Sequence, residues 1–466
     1  MKQQIDRIRD IYRPAMERSC DFCEVERPLT IREISEQSER CMACGIPFCH
    51  GTGCPLGNVI PEMNAAVHEG KWRTAYEILS ETSSFPEFTS RVCPALCEGS
   101  CVHAINDEAV MIRQIEKAII ETAFAHGWPA PCKNLQPTGK RVAVIGSGPA
   151  GLGVADALSK RGHGVTVFEK NAFPGGLLRY GIPDFKLEKQ VIDRRIAIME
   201  ANGVHFECNT AIGEEVSAEY LNKRFDAVVI AIGTPIPRNL NVPGRELANI
   251  HFALDFLGGQ NRAVSGECTD LPISATAKNV VVIGGGDTGS DCVGTAIRQR
   301  ASSIIQLELL PQPPEKRSRS TPWPDWPYLL RTSSSHKEGG ERRWSTATKQ
   351  FIGDNGKVTA IETVRLEWEL SPLGRPVKFQ EIPESNEIIP ADLVLLAMGF
   401  TGVPADGIAA QLNLQISQRG TLSAAHDRGI FVCGDAAHGP SLVVRALADA
   451  GKTARLVDAY LQKGKK

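Results

Sequence analysis

The amino-acid sequence predicts an α/β fold in which a helical, cysteine-rich domain precedes two Rossmann-like domains. Two stretches predict the Rossmann-like domains: residues 141–152 and 280–291 each combine an apolar strand pattern with a glycine-rich turn and the start of a helix. The helical domain is indicated by cysteines, because nine of the 14 lie in the first 101 residues. A chain of 466 residues is long enough for about three domains.

Composition and charge are those of an ordinary globular protein, with 42% hydrophobic and 23% charged residues. The formal net charge of −2 gives no general attraction to nucleic acid or to an anionic membrane. The charged start of the chain lacks the apolar core of a signal peptide, and no apolar run is long enough to span a bilayer. We therefore expect a cytoplasmic protein that binds neither nucleic acid nor membrane.

Residues 1–135 are predicted to form the helical domain. Apolar periodicity predicts three helices, over residues 29–40, 59–79 and 112–125. Seven cysteines lie between these helices with the spacing of metal ligands: Cys41, Cys44, Cys49, Cys54, Cys93, Cys97 and Cys101. Thiolates are soft ligands that suit iron–sulfur clusters or zinc.

The first four of these cysteines form a C-x2-C-x4-C-x4-C-P run, which resembles the ferredoxin pattern. In that pattern the fourth cysteine, followed by proline, serves the other cluster, so Cys41, Cys44 and Cys49 are expected at one cluster and Cys54 at a second. Seven cysteines are one short of two four-cysteine sites, and we therefore expect one ligand that is not cysteine.

The glycine turn of residues 141–152 fits the dinucleotide fingerprint. Gly146 permits the tight turn, Gly148 lets a pyrophosphate approach the backbone, and Gly151 lets helix and strand pack closely. The next apolar strand ends about 20 residues on at Glu169, where a ribose hydroxyl would be held. Farther along, the glycine pair that ends at Gly176 would let the backbone approach an aromatic ring system.

A second fingerprint follows, with Gly284, Gly286 and Gly289 after an apolar strand. Its own second strand again ends in an acid, Glu308. Two such units imply two dinucleotides, and flavoenzymes that use a nicotinamide need both. A flavin site calls for an electron relay, so iron–sulfur clusters are favoured over redox-inert zinc at the seven cysteines.

The remaining cysteines are not expected to carry chemistry. Cys20 and Cys23 form a C-x2-C pair that nothing nearby completes, and we interpret them as exposed or partly buried thiols. The others are single and are expected to be small buried side chains: Cys132, Cys208, Cys268, Cys292 and Cys433.

The C-terminal half adds three features to the second fingerprint. Residues 311–350 are irregular and read as a functional or packing insertion, and the alternation over 357–382 predicts an antiparallel hairpin. Near the end of the chain, an apolar strand leads into a turn that contains Asp435, and a helix is predicted to begin a few residues later. Its dipole would stabilise a reduced flavin, while Asp435 would bond the ribityl chain.

The first Rossmann-like domain is therefore predicted to be discontinuous. We assign residues 136–255 and 391–466 to an FAD-binding domain, and residues 256–390 to an NAD(P)H-binding domain inserted between them.

Seven motifs together resemble the beta (small) subunit of glutamate synthase, from about residue 29 to the end. They are Cys-Met-Ala-Cys-Gly-Ile-Pro-Phe-Cys, Gly-Cys-Pro-Leu-Gly-Asn, Arg-Val-Cys-Pro-Ala-Leu-Cys-Glu-Gly-Ser-Cys, Gly-Ser-Gly-Pro-Ala-Gly-Leu, Gly-Ile-Pro-Asp-Phe-Lys-Leu-Glu-Lys, Gly-Gly-Gly-Asp-Thr-Gly-Ser-Asp-Cys and Cys-Gly-Asp. The N-terminal half of dihydropyrimidine dehydrogenase is a more distant relative with the same arrangement. The resemblance implies Rossmann-like domains of the disulfide-reductase flavoprotein type.

The resemblance also implies a role in electron transfer. Such a subunit takes hydride from NADH or NADPH onto FAD and passes electrons through two [4Fe–4S] clusters. They reach an alpha (large) subunit that carries FMN and makes L-glutamate from L-glutamine and 2-oxoglutarate. This chain offers no N-terminal cysteine nucleophile for the glutaminase step, so it would act within a hetero-oligomer. We expect no catalytic residue, because the cofactors perform the chemistry.

The resemblance assigns residues to each group. Cys41, Cys44, Cys49 and Cys101 would hold one cluster, and Cys54, Cys93, Cys97 and Glu116 would hold the other. The FAD would be contacted by Glu169, Leu177, Lys186 and by Asp435 with the preceding Gly434. The nicotinamide nucleotide would be contacted by Gly286, Asp287, Thr288 and Gly399.

One departure from the family concerns the nicotinamide nucleotide. Members that use NADPH often carry an arginine pair after the second strand of this domain, where this chain has Leu309 and Leu310. Glu308 before them favours ribose hydroxyls and repels a 2′-phosphate, so we expect NADH. Four basic residues nearby would reverse this if they folded back: Lys316, Arg317, Arg319 and Arg331.

Three alternatives give the same residues other roles. The chain would serve as the electron-input subunit of a transhydrogenase-like, bifurcating or pyrimidine-reducing system, with only the partner changed. A disulfide reductase is not favoured, because no C-x2-C pair lies near either Rossmann-like unit. A cofactor-binding assembly factor without turnover would lack NAD(P)H oxidation altogether.

Overall fold

The computed structural model describes residues 5–463, which form one helical domain and two domains built on parallel β-sheets. Each domain has a hydrophobic core of its own. Within the described residues, no helix combines the length and the apolar character needed to cross a membrane.

Residues 5–128 form seven α-helices: α1 (Ala15–Arg18), α2 (Ile31–Glu39), α3 (Ile60–His68), α4 (Trp72–Thr82), α5 (Pro86–Val92), α6 (Leu96–Gly99) and α7 (Ile112–Ala125). The helix expected over 112–125 is confirmed as α7. The helix expected over 59–79 is instead two helices, because the chain turns between α3 and α4 at Gly70, whose φ is +72°.

Most cysteines of this domain lie on short turns between its helices, and Cys97 lies in the short helix α6. Cys49–Gly53 forms a π-helical turn, and Val102–Ile105 forms a 3-10 turn just after Cys101. Ile60, Met63, Ile115 and Ile119 are buried at the centre of the domain, next to Cys54, Cys97 and Cys101. The helices therefore supply the core that holds the cysteine turns in place.

The first parallel sheet has the strand order β16-β4-β1-β2-β3. Its strands are β1 (Arg141–Ile145), β2 (Gly164–Phe168), β3 (Val204–Glu207), β4 (Ala227–Ile230) and β16 (Ile430–Val432). Its helices are α8 (Pro149–Ser159), α9 (Leu177–Tyr180), α10 (Lys189–Ala201), α11 (Ala218–Arg224), α15 (Ile408–Gln411), α16 (Asp435–His438) and α17 (Val443–Lys463). Because β16 pairs with β4, this domain is built from two separate parts of the chain.

The second parallel sheet has the strand order β6-β14-β7-β8-β9. Its strands are β6 (Ile250–Phe252), β7 (Asn279–Ile283), β8 (Ser303–Leu307), β9 (Glu341–Arg343) and β14 (Leu393–Leu396). Its helices are α12 (Ala253–Val264), α13 (Asp287–Arg298) and α14 (Ser334–Glu338). A two-stranded link of β5 (Ile236–Pro237) and β15 (Phe400–Gly402) joins the two domains.

The second domain is longer at both ends than the predicted range of 256–390. Strand β6 begins six residues before that range, and β14 lies just after it, yet both pair within the second sheet. The reason is physical: β6 has only three residues and gives no periodic signal, and β14 has the same apolar strand and glycine turn as β4 of the first sheet.

An antiparallel sheet lies against the second domain. Its strands are β10 (Thr346–Asp354), β11 (Lys357–Leu370), β12 (Pro376–Glu381) and β13 (Glu387–Pro390). The hairpin expected over 357–382 is confirmed by the pairing of β11 with β12. Phe351 and Ile361 of this sheet are buried against Val281 and Val394 of the parallel sheet.

Buried ion pairs fix the domains to one another. Glu338 of α14 accepts hydrogen bonds from Arg18 in the N-terminal segment and from Arg298 of α13, at 2.7 Å each. Glu87 of α5 pairs with Arg195 of α10, and both side chains are buried. Buried charges of this kind are stable only while their partners stay in place.

Candidate functional site

The first glycine turn has the geometry of a phosphate-binding loop. Gly146 has φ of +98°, and a Cβ there would lie 2.6 Å from the Ala231 carbonyl oxygen. A Cβ on Gly151 would lie 1.9 Å from the Gly146 oxygen, so neither position accepts a side chain. In contrast, a Cβ on Gly148 would meet no atom within 4 Å. The open space before Gly148, at the start of α8, fits a pyrophosphate.

Glu169 ends β2 beside this turn and is buried. Its Oε2 accepts a hydrogen bond from the Ser147 backbone N–H at 3.2 Å, and its Oε1 accepts one from the Asn171 N–H at 2.9 Å. Glu169 therefore lies where the sequence places a ribose-binding acid. Gly176, with φ of +52°, packs on the turn so closely that a Cβ would lie 2.7 Å from the Gly148 Cα.

The second glycine turn repeats the first. Gly284 has φ of +127°, and a Cβ on it would lie 2.2 Å from the Ala397 oxygen. A Cβ on Gly289 would lie 2.2 Å from the Gly284 oxygen, whereas Gly286 faces open space. Glu308 accepts a hydrogen bond from the Gly285 N–H at 2.8 Å, which matches the bond from Ser147 to Glu169 in the first domain.

The two nucleotide-binding domains meet at an ion pair between Lys186 and Asp291 of α13. The pKa of Lys186 is raised, because the attraction of Asp291 and of Asp287 outweighs the cost of burial. Asp287 and Thr288 are the first two residues of α13, and Asp287 is exposed. Lys186 is thus held at the boundary between the domains, where a flavin ring and a nicotinamide would have to meet.

Two other expected residues, Gly399 and Leu177, lie on the rims of these sites. Gly399 has φ of +81° and faces open space after β14. Leu177 follows Gly176 as the first residue of α9, and its side chain is 47% exposed. An exposed leucine beside the first glycine turn is available to contact an aromatic ligand.

Asp435 begins α16 in the first domain. Its Oδ1 accepts a hydrogen bond from Ser441 Oγ at 2.7 Å, and burial raises its pKa. The Gly434 N–H donates to Asp449 at 2.8 Å, which fixes the turn in front of α17. A Cβ on Gly434 would lie 2.6 Å from the Ala150 Cβ of α8, so this turn packs against the helix of the first glycine turn.

The seven cysteines are divided between two pockets of the helical domain. Cys41, Cys44, Cys49 and Cys101 line one pocket, together with Phe48, Asn64 and several apolar side chains. We name it the Cys41 pocket. Its four cysteines are the set that the resemblance assigns to one cluster.

The second pocket is lined by Cys54, Cys93, Cys97 and Glu116, together with Asn58 and Leu56. We name it the Glu116 pocket. Glu116 lies on α7, and its side chain is buried among the three cysteines that the resemblance assigns to the same cluster. Val444 of α17 also lines it, so one wall comes from the first nucleotide-binding domain.

Asn58 holds the Glu116 side chain in this pocket. Its Nδ2 donates to Glu116 Oε1 at 2.8 Å, and its Oδ1 accepts from Thr82 Oγ1 at 2.8 Å. Burial raises the pKa of Glu116 to about 7, and the Asn58 hydrogen bond opposes this rise. The amide of Asn58 thus engages one oxygen of the Glu116 carboxylate. The same carboxylate lies beside three cysteines, where it would serve as an oxygen ligand next to their thiolates.

Burial also raises the pKa values of the pocket thiols, to about 12 for Cys49 and to about 11 for Cys54. Such thiols lose their protons when a metal binds, because only the thiolate is a ligand. In residues 5–463, no three His, Cys, Asp or Glu side chains gather as ligands of a single metal ion. The two sets of four surround pockets, and this arrangement fits a multi-atom cluster in each.

Part of the segment 311–350 packs against the helical domain beside the Cys41 pocket, a contact that its sequence did not specify. Trp323 stacks on Phe48 of the Cys41 pocket, with ring centroids 4.7 Å apart. Trp326 packs on Gly99, where a Cβ would lie 2.8 Å from its ring. Ser100 Oγ donates to the Pro324 oxygen at 2.7 Å. The only sign of this contact in the sequence was the pattern of tryptophans and prolines in residues 321–327.

The other cysteines lie outside these pockets. Cys20 and Cys23 are exposed, in line with thiols that hold no ligand. Cys292 and Cys433 are buried as expected. The expectation of burial was wrong for Cys132, which is exposed in the linker, and Cys208 and Cys268 are only partly buried.

Two of the four basic residues near Glu308 are engaged elsewhere, and the other two, Lys316 and Arg319, are exposed. Arg317 donates to backbone oxygens of Thr321, Asp325 and Gly99, and Arg331 lies over the Trp326 ring and donates to the Pro327 oxygen. The carboxylate of Glu308 accepts from the N–H groups of Gly285 and Leu310. The arrangement offers ribose hydroxyls an acceptor.

Two family profiles match the chain. Residues 18–128 match dihydropyrimidine dehydrogenase domain II, 4Fe-4S cluster, and residues 140–450 match pyridine nucleotide-disulphide oxidoreductase. The second match covers most of the chain and includes both glycine turns. The division between the two matches falls in the linker between the helical domain and β1.

Relatives match over nearly the whole length. A "Glutamate synthase [NADPH] small chain" of Mycobacterium tuberculosis is 46% identical over 96% of this chain and 93% of its own length. A chain of the same name from Bacillus subtilis is 40% identical over 98% of this chain and 97% of its own. A "Glutamate synthase [NADH]" of Saccharomyces cerevisiae is 44% identical over 98% of this chain but only 22% of its own length.

Among solved structures, FprA of Mycobacterium tuberculosis superimposes with a TM-score of 0.55 at 21% identity. The match covers 70% of this chain and 85% of FprA. It supports the fold of the two nucleotide-binding domains.

Proposed function

Because this chain belongs to the family of glutamate synthase small chains, we propose that it is the electron-input subunit of a glutamate synthase. Its three cofactor types are FAD, NADH or NADPH, and [4Fe–4S] clusters in the helical domain. When bound, FAD accepts two electrons as hydride from the nicotinamide, and the clusters carry electrons singly toward the partner.

The observation that carries this proposal is the pairing of two glycine turns with two cysteine pockets in one chain. Gly148 and Gly286 leave open space at helix starts for two dinucleotides. Lys186 and Asp291 hold the two nucleotide-binding domains together between these turns. The Glu116 pocket shares a wall with the first of these domains through Val444. In this proposal the nicotinamide site, the flavin site and the Glu116 pocket are therefore neighbours, and electrons would pass between them in that order.

The chain's own residues position and insulate the cofactors. Glu169 and Glu308 would hold ribose groups, and Asp435 would hold the ribityl chain of the flavin. The N-terminus of α17 lies next to Asp435 and would stabilise negative charge at the flavin. Trp323 would shield one side of the Cys41 pocket through its contact with Phe48.

A large subunit completes the reaction in this proposal. The relatives are named small chains, and in the yeast relative the matching region is about a fifth of one longer chain. We propose that an alpha subunit with FMN accepts the electrons and makes two molecules of L-glutamate from L-glutamine and 2-oxoglutarate. A cytoplasmic location stays a prediction from the sequence.

The test is purification of the chain from native extract with whatever large chain accompanies it. We expect the chain alone to reduce an artificial acceptor with NADH or NADPH, and the complex to oxidise the nucleotide only with glutamine and 2-oxoglutarate present. A Cys54→Ser variant should keep the first activity and lose the second. A complex that oxidises the nucleotide for another substrate would identify a different oxidoreductase instead.

A further inference from the structure

Asn64 on α3 is a buried amide without a hydrogen-bond partner. Its side chain is 0% exposed, and neither its Nδ2 nor its Oδ1 has a partner among the described residues. It lines the Cys41 pocket. A buried amide that makes no hydrogen bond costs free energy, and one that lines a ligand pocket is explained by a bound group that completes it.

The neighbouring pocket shows how an asparagine is satisfied when protein groups are at hand. Asn58 lies six residues before Asn64 and lines the Glu116 pocket. Its amide donates to Glu116 and accepts from Thr82, so both of its polar ends are used. Asn64 therefore lacks hydrogen-bond partners because of what lines the Cys41 pocket.

The lining of the Cys41 pocket offers Asn64 sulfur and hydrocarbon. Besides the four cysteines, its walls include Ile60, Pro61, Val110 and Ile112. His103 is the other nitrogen-bearing side chain of the lining, and its Nδ1 is paired with the Glu108 oxygen at 3.0 Å. The acceptors within reach of the Asn64 amide are thus those that a bound cluster brings, its sulfide and thiolate sulfurs.

We propose that the Asn64 amide donates N–H···S hydrogen bonds to the cluster held by Cys41, Cys44, Cys49 and Cys101, and that these bonds raise its reduction potential. The proposal rests on the assignment of one [4Fe–4S] cluster to each pocket. Reduction adds one negative charge to the cluster, and a donor aimed at the sulfurs stabilises the reduced form more than the oxidised form. Asn64 is a positioning and tuning residue, not a catalytic one.

The effect makes the Cys41-pocket cluster a better electron acceptor than it would be without the amide. Hydrogen bonds to the sulfurs are among the factors that set cluster potentials. The Glu116 pocket has a carboxylate in place of a fourth thiolate, and its asparagine is committed to that carboxylate. The two clusters therefore receive different tuning from two asparagines six residues apart.

The test is an EPR-monitored redox titration of the cluster-loaded chain and of its Asn64→Leu variant, which keeps the volume and removes both donors. We expect a three- to tenfold shift toward the oxidised form at the Cys41-pocket cluster, about 30 to 60 mV for a one-electron couple. The Glu116-pocket cluster in the same sample should keep its potential. The reciprocal control, Asn58→Leu, should alter only the Glu116-pocket cluster.

A second measurement does not depend on a substitution. Asn64 is the only asparagine that lines the Cys41 pocket among the described residues, so labelling wild-type protein with side-chain ¹⁵N asparagine should give nitrogen modulation in the spin-echo signal of that cluster. Unshifted potentials in Asn64→Leu, or no such modulation, would overturn the proposal while the clusters remain. Absence of any cluster signal would instead overturn the proposed function.

Discussion

Glu308 is the residue on which the choice of nicotinamide nucleotide depends. It directly follows β8, and its carboxylate accepts hydrogen bonds from two backbone N–H groups, while Arg317 and Arg331 are turned toward other partners. The relatives do not decide the choice, because chains of 46% and 44% identity are named for NADPH and NADH respectively. The preference for NADH stays a prediction.

We expect Glu308→Gln to raise the efficiency with NADPH relative to NADH by about tenfold, since it removes a negative charge that repels a 2′-phosphate. The measurement is kcat/KM for both nucleotides with an artificial acceptor. Glu341→Gln, on the adjoining strand β9 but paired with Arg343, serves as the control. An unchanged ratio of the two efficiencies would contradict this role.

At this scale the sequence predicted which residues lie together better than it predicted their supports. Cysteine spacing and the family resemblance together gave the two sets of residues that line the two pockets, and their role as cluster ligands stays a prediction. Asn58 and Asn64 gave no signal, because an asparagine in a helical pattern is ordinary until its neighbours are known. Only the fold shows that one has partners and the other has none.

At the first glycine turn, effects of a substitution on folding can be distinguished from effects on ligand binding. Gly148 has an ordinary φ of −66° and open space before it, whereas Gly146 has φ of +98° and faces the Ala231 oxygen. A side chain at the first position meets only the ligand, but one at the second meets the protein itself.

We therefore expect Gly148→Ala to purify with much less flavin, at least tenfold, while its apoprotein keeps the thermal midpoint of the wild-type apoprotein. Gly146→Ala should lower that midpoint as well, by the equivalent of about 1–3 kcal/mol. Flavin absorbance per protein and thermal unfolding measure the two effects. Full flavin content in Gly148→Ala would show that the pyrophosphate does not lie there.

The insertion acts as a cover for the helical domain. Trp323 stacks on Phe48, which lines the Cys41 pocket, so removing the indole opens a path for water and oxygen. We expect Trp323→Ala to bleach several-fold faster in air than the wild type, as followed by cluster absorbance. Trp368→Ala, in the exposed sheet, is the matched control and should bleach at the wild-type rate. Equal rates in both variants would contradict the covering role.

Elements were predicted where their periodic patterns were long. Helix α7 and the hairpin of β11 and β12 agree with their predicted ranges. The three-residue strand β6 was too short for a pattern, and β14 could not be told from β4 by its residues alone. Which sheet a short strand joins depends on long-range pairing, and local sequence does not encode it.

The contribution of the N-terminal segment to the stability of the whole molecule is lost at low pH. Burial alone would raise the pKa of Glu26, but Arg113 and Lys117 of α7 lower it to about 2. A carboxylate with a depressed pKa in the folded state stabilises the fold above the ordinary pKa of about 4.5, and this contribution is lost as the pH falls toward 2.

We expect Glu26→Gln to lose about 3 kcal/mol of unfolding free energy at pH 7, because two cations keep their burial without their partner. The loss should shrink as the pH is lowered from about 4.5 to 2, where the wild-type carboxyl is itself protonated. Urea unfolding at a series of pH values measures both. Glu36→Gln, an exposed carboxylate of α2, should leave stability within about 0.5 kcal/mol.

The contacts of Glu338 have a consequence for how the enzyme moves. Separating α13 from the N-terminal segment would take Arg18 away from Glu338, whose carboxylate is 0% exposed and would keep only Arg298, at a cost of about 3–5 kcal/mol. The ion pair between Lys186 and Asp291 is a second contact that holds the same helix, α13. Gly285, Gly286 and Asp287 nevertheless stay exposed. We therefore expect the nicotinamide nucleotide to enter and leave its site by diffusion from solvent, without a large rotation of one domain relative to the other.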